Sequence, residues 1–137
     1  MNFNQITKIE NLHKLPNLNE LHLNYNQIAK IENLDELHKL TWLFLESNQI
    51  TKFENLDKLP NLDELHLNDN QITEIENLDN LSNLTELYMQ ANQISSIDSS
   101  IILLQNLQLL DITGNLLDQS MIDNFPRLLP NCKVYSF

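Results

Sequence analysis

Leu18-Asn19-Glu20-Leu21-His22-Leu23-Asn24-Tyr25-Asn26-Gln27-Ile28 is a phrase that this chain repeats. It returns as Leu40, Leu43, Phe44, Leu45, Asn48 and Ile50, then as Leu62, Leu65, His66, Leu67, Asn70 and Ile72. Two further copies run through Leu84, Leu87, Tyr88, Met89, Asn92, Ile94 and through Leu107, Leu110, Asp111, Ile112, Asn115, Leu117. The asparagines Asn4, Asn26, Asn48, Asn70 and Asn92 recur every 22 residues, and Asn115 follows after 23. A fixed period in the twenties marks a stacked solenoid, in which each coil contacts only its neighbours.

The residues of one period predict its shape. Leu21 and Leu23 alternate with His22, the two-residue rhythm of a half-buried strand over about Glu20 to Asn24. The leucines point inward; Glu20, His22 and Asn24 are expected to point out. Asn26 stands where the chain must turn. Its amide both donates and accepts, so it can bond its own turn and the next coil, and stacked coils would build an asparagine ladder. Ile28 and Ile31 extend the core. Leu34, Leu37 and Leu40 are three apart, a spacing that suits 3₁₀ turns or a short helix. Asp35, Asp57 and Asp79 follow Leu34, Leu56 and Leu78 and are expected to cap such turns. Narrow strands on one side and bulkier turns on the other make the sheet side concave.

This pattern resembles the leucine-rich-repeat family across residues 4–117. The 22-residue length and the Asn-x-Ile-x-x-Ile-x-x-Leu run are similar to the class shared by internalins and by the repeat-type regulatory subunit of protein phosphatase-1. The resemblance implies an α/β solenoid: a horseshoe with a parallel sheet on the concave face and 3₁₀ or short helical turns on the convex face. Residues 1–117 are read as the repeats: a half repeat at 1–17, then five starting near 18, 40, 62, 84 and 107. Residues 118–137 are read as a carboxyl-terminal helix–strand cap. In the cap, Asp118 or Ser120 starts a helix carrying Met121, Ile122, Phe125 and Leu129, Pro130 stops it, and the alternating run from Cys132 to Phe137 adds a strand over the last repeat. At the other end, Met1 to Asn4 align with the end of a strand, so the first coil is expected to be uncapped and able to pair with another chain.

Composition narrows the function. The formal net charge is −11, which argues against general affinity for nucleic acid. No run approaches the roughly 20 apolar residues of a membrane span. The amino terminus shows no secretory pattern. Cys132 is the one cysteine, without the pairs of extracellular caps, which favours an intracellular or bacterial setting, and with no secretory pattern a cytoplasmic location is expected.

The concave face should carry three outward columns. The first is Glu20, Trp42, Glu64, Glu86, Leu109; the second is His22, Phe44, His66, Tyr88, Asp111. The third is Asn24, Glu46, Asn68, Gln90, Thr113. Large aromatics on an exposed strand face are the residue types enriched at binding hot spots. Trp42, Phe44 and Tyr88, ringed by Glu20, Glu46, Glu64 and Glu86, therefore predict a protein partner with a basic and apolar patch. Cross-strand stiffening of the sheet is the plainer reading of the same rings. His22 and His66 are two strands apart with Phe44 between them, too far for one zinc ion. They are ionisable near neutral pH. Glu10, Glu32, Glu54, Glu76 and Asp98 form an acidic row that Lys8, Lys30 and Lys52 partly neutralise. No catalytic constellation, metal or cofactor site is read. Ser95, Ser96, Ser99 and Ser100 have no histidine in register, and Gly114 alone cannot cradle a phosphate. Lys133 would lower the Cys132 pKa slightly, but a capping strand makes that thiol a packed one. The chain is thus read as a non-catalytic protein-interaction module. Self-assembly through the amino-terminal coil, or a fragment of a secreted adhesin, is the alternative.

Overall fold

Leu21, Leu43, Leu65, Leu87 and Leu110 stand side by side in the interior, and all are buried. They are the middle residues of five parallel strands: β1 (Glu20–His22), β2 (Trp42–Phe44), β3 (Glu64–His66), β5 (Glu86–Tyr88) and β7 (Leu109–Asp111). The structure, a computed structural model, describes residues 4–137. The unfinished strand read at Met1 to Asn4 falls mostly outside them. A sixth strand, β8 (Lys133–Tyr135), joins the same sheet, in the order β1-β2-β3-β5-β7-β8. Two-residue strands β4 (Glu74–Ile75) and β6 (Ser96–Ile97) make a second small parallel sheet that the alternation did not reveal. The strands are shorter than the expected five residues. Even so, the ladder continues beyond them, because Leu23 N–H donates to Phe44 O at 2.9 Å and Leu45 N–H to His66 O at 2.9 Å.

The core is a single column of Leu, Ile, Met and Phe side chains shared by all coils. Phe53 occupies the place of Ile31 and is equally buried. Convex turns carry the expected three-residue rhythm. Leu37 N–H donates to Leu34 O and Leu40 N–H to Leu37 O, each at 2.9 Å, and the coils at Leu56–Leu62 and Leu78–Leu84 repeat this. Complete 3₁₀ helices form at Leu12–Lys14 and Ser99–Leu103.

The asparagine ladder is present, with one correction of direction. Asn70 Oδ1 accepts from Ile50 N–H at 2.9 Å, and Asn70 Nδ2 donates to Leu45 O at 3.0 Å. Both partners lie in the preceding coil, not the next one. The same amide donates to Leu67 O within its own turn. Asn26, Asn48 and Asn92 are equally buried, and Asn115 repeats the bonds half-buried. Two more ladders run along the coils. Asn33, Asn55 and Asn77 donate back to Ile9, Ile31 and Phe53 carbonyls. Asn61, Asn83 and Asn106 donate to His38, Pro60 and Ser82 carbonyls.

These extra ladders replace the caps expected of Asp35, Asp57 and Asp79, which make no capping bond among the described residues. Asn33, Asn55 and Asn77 hold left-handed backbone at φ 58–59°, a conformation that asparagine tolerates. They turn the chain before the aspartates. Within the repeats, the aspartate that does cap is Asp98, accepting from Ser100 N–H at 2.7 Å.

In the cap, α1 spans Gln119–Leu128. Asp118 is its N-cap and accepts from Met121 N–H at 2.9 Å. That bond holds the Asp118 carboxyl below its usual pKa. The helix ends just before Pro130, as expected: Leu129, the residue preceding the proline, leaves helical backbone and closes the last turn with its N–H on Phe125 O. Pro126 lies inside the last turn and cannot donate back to Ile122, which weakens the helix there.

Two outcomes are expected. Asn70→Ala leaves Ile50 N–H without its partner and removes one of two donors from the carbonyls of Leu45, Leu67 and Asn68. It costs about 1–3 kcal/mol for the N–H orphaned in the interior, while exposed Asn61→Ala costs less than about 1 kcal/mol. Urea unfolding of both variants checks this, and equal losses would contradict it. Residues 25, 47, 69, 91 and 114 all hold left-handed backbone, and only the last is glycine. Ala91→Gly therefore raises the thermal midpoint, because about 1–2 kcal/mol of strain is relieved against roughly 0.4–1 kcal/mol of added chain entropy. Gly114→Ala lowers it.

Candidate functional site

Sheet register brings the outward residues into rows. Glu20 pairs with Trp42, Trp42 with Glu64, Glu64 with Glu86, and Glu86 with Leu109. The second row is His22, Phe44, His66, Tyr88, Asp111. Strand β8 lengthens both, with Lys133 beside Leu109 and Tyr135 beside Asp111. The sequence reading missed these two residues. The signal was there in the alternation of Lys133, Val134 and Tyr135, but not the register that joins it to β7. Lys133 Nζ sits over the Tyr135 ring, 4.7 Å from its centroid.

The second row is a continuous stack of rings. His22 and Phe44 lie 4.3 Å apart between centroids, Phe44 and His66 4.5 Å, His66 and Tyr88 4.3 Å. Parallel strands with adjacent aromatic side chains on one face force this contact. Trp42 stays outside the stack, in the first row, and is 40 % exposed. Phe44, His66 and Tyr88 are half-buried by one another.

Each polar ring leans on the glutamate two residues before it on its own strand. His22 Nε2 bonds Glu20 Oε1. Tyr88 OH donates to Glu86 Oε2 at 2.5 Å, and this bond, with burial, pushes the phenol up to about 12. His66 Nε2 stops 3.6 Å short of Glu64 Oε2, outside hydrogen-bond reach. Burial lowers the His66 pKa from the usual 6.5, and Glu64, Glu46 and Glu86 oppose this only in part.

The third column is less outward than expected. Asn24 is buried, and its Oδ1 accepts from Glu46 N–H at 3.0 Å, so it braces the next strand. Asp111 is also committed: it accepts from Gln90 Nε2 at 2.9 Å and from Thr113 N–H and Oγ1–H at 3.1 and 2.8 Å. Elsewhere, Lys8, Lys30 and Lys52 form no ion pair with the acidic row among the described residues. Among the described residues, the lysine that does pair with a carboxylate is Lys58, 3.8 Å from Asp35. Cys132 is not made acidic by Lys133. Burial dominates and pushes its thiol up to about 11. Among the described residues no cluster of three or more His, Cys, Asp or Glu side chains is placed to hold a metal ion. No described helix is long and apolar enough to cross a membrane.

A parallel strand row, an asparagine ladder and a concave ring stack together define a leucine-rich-repeat solenoid. The chain belongs to the leucine-rich-repeat family, whose repeat model matches residues 1–36 and 38–80. No curated protein sequence matches it. Among solved structures it is similar to the internalin InlF of Listeria monocytogenes, with 30 % identity, a TM-score of 0.83 and 99 % of this chain covered. It is similar to internalin C2 of the same organism at 29 % identity and TM-score 0.78, over 100 % of this chain and 69 % of that one. A leucine-rich-repeat protein of Leptospira interrogans aligns at 31 % identity and TM-score 0.65 over 90 % of this chain. The chain spans 39 % of InlF and 38 % of the Leptospira protein.

The His66 pKa has a measurable consequence. Its folded value lies below its unfolded one, so just below pH 6.5 the unfolded chain takes up a proton that the folded chain refuses. Stability therefore falls as pH falls through that window, and the loss levels off below the folded pKa. His66→Phe keeps a ring in the stack and removes this part of the slope. Urea unfolding at about pH 7.5 and about pH 5.5 compares the two. If parent and variant lose equal stability on acidification, the assignment is wrong.

Proposed function

We propose that this chain captures a partner protein on its concave sheet face and performs no catalysis itself. Leucine-rich-repeat domains typically serve protein–protein interaction. The observation that carries the reading here is Trp42, a large exposed aromatic on β2, the second strand of the face, beside Phe44 and between Glu20 and Glu64. Exposed aromatic anchors contribute strongly to binding, and acidic neighbours select a partner by charge. The partner therefore presents Lys or Arg around an apolar contact. Glu46 and Glu86 widen the acidic rim, and Lys133 marks the far end, where a partner's acidic residue fits better. The lone Cys132 supports a cytoplasmic setting as part of this proposal.

Trp42→Ala and Phe44→Ala are expected to abolish partner capture with little change in the far-ultraviolet circular dichroism. Affinity capture from the source cell, with parent and variants side by side and mass spectrometry of what is retained, checks this. A protein held by the parent and lost by both variants supports the reading. Equal retention by all three ends it.

A further inference from the structure

Among the described residues, three buried side-chain polar atoms lack a hydrogen-bond partner: His66 Nε2, Asn68 Oδ1 and Gln90 Oε1. All three belong to neighbouring strand segments on the concave face. Asp69 N–H bonds Gln90 O at 2.9 Å, so the Asn68 and Gln90 positions are adjacent. Buried polar groups are nearly always paired, and each exception needs a cause. The position itself is not the cause, because Asn24, in the same column, is satisfied by Glu46 N–H. Nor is the amide of Gln90 open to reversal, since its nitrogen is held by Asp111.

Resting on the reading above, we propose that this spot seats the guanidinium of a partner's arginine. The guanidinium offers five N–H donors and no acceptor. Asn68 Oδ1 and Gln90 Oε1 receive two of them. Glu46 is the neighbour of Asn68 in the same column and makes no side-chain hydrogen bond among the described residues, while Glu64 lacks one to His66. These carboxylates supply the charge. Asn68 and Gln90 are half-buried; rotation about the soft terminal amide torsion turns the Asn68 oxygen outward, while turning the Gln90 oxygen outward requires its Nε2 to release Asp111. A lysine ammonium, a compact point with three donors, cannot bridge two amide oxygens and a carboxylate in one plane.

Polyarginine and polylysine of matched length are the probes, titrated at physiological ionic strength into the ¹⁵N-labelled protein. Polyarginine is expected to bind about tenfold or more tightly than polylysine, and to shift the side-chain amide resonances of Asn68 and Gln90. The Asn68→Leu, Gln90→Leu double variant is expected to bind both peptides alike. Equal affinity of the two peptides for the parent, binding of neither, or unmoved Asn68 and Gln90 amides overturns the arginine seat; these readouts do not depend on the variant folding. Partner capture that is lost on Trp42→Ala while the two peptides bind alike removes the seat alone. Capture that survives Trp42→Ala removes the concave-face reading with it.

Discussion

Every coil of this protein is completed by the coil that follows it. The interior amide of the recurring asparagine closes its own turn and reaches back to a carbonyl and an N–H of the preceding coil, as Asn48 does with Leu23 O and Ile28 N–H. A turn with that many inward backbone groups would otherwise leave several unpaired, and no apolar side chain can repair it. The consequence is polarity. Strands run parallel because identical turns stack in one sense, and the leucines beneath them share a single core because the turns hold them at equal spacing. The other two asparagine rows apply the same solution at the outer corners of the coil, where burial is less and the bonds matter less.

That regular stacking also makes the concave surface. Side chains that alternate outward on parallel strands are delivered to the same height on every coil, so like stands beside like. Rings stack into a column, and glutamates line up next to it. Repulsion among the carboxylates is relieved where Glu20 and Glu86 are tied to His22 and Tyr88. Strand β2 breaks the rule by placing Trp42 where its neighbours have glutamate. The face is thus uniform in construction and uneven in chemistry, which is what a surface for selective recognition requires.

Much of this was legible from residue order. A period of 22 and an alternation of Leu with outward residues were enough to place the strands, their register and the inward row, because one repeat constrains all the others. What was not legible came from departures within the repeat. Asn24 reads as an outward strand residue, yet the neighbouring Glu46 N–H draws it inward. Asp35 reads as a cap, yet Asn33 has already turned the chain. Pro130 reads as the helix stop and α1 does end just before it, but Pro126 already sits inside the final turn. The columns of the candidate site follow directly from the period. The ring stack, the commitment of Asp111 to Gln90, and the unpaired amide oxygens depend on rotamers, and spacing carries no information about those.

Strand β8 has a consequence for how the molecule behaves in company. It is the outermost strand beyond β7, and an outermost strand offers free backbone groups to any extended peptide. Here that margin is three residues long and carries a lysine whose ammonium rests on the tyrosine of the same strand. An incoming strand would have to dislodge that cation from its ring and bury it. The short, charged selvedge therefore discourages end-to-end fusion into fibrils, a hazard for any fold built by adding one identical coil to the next.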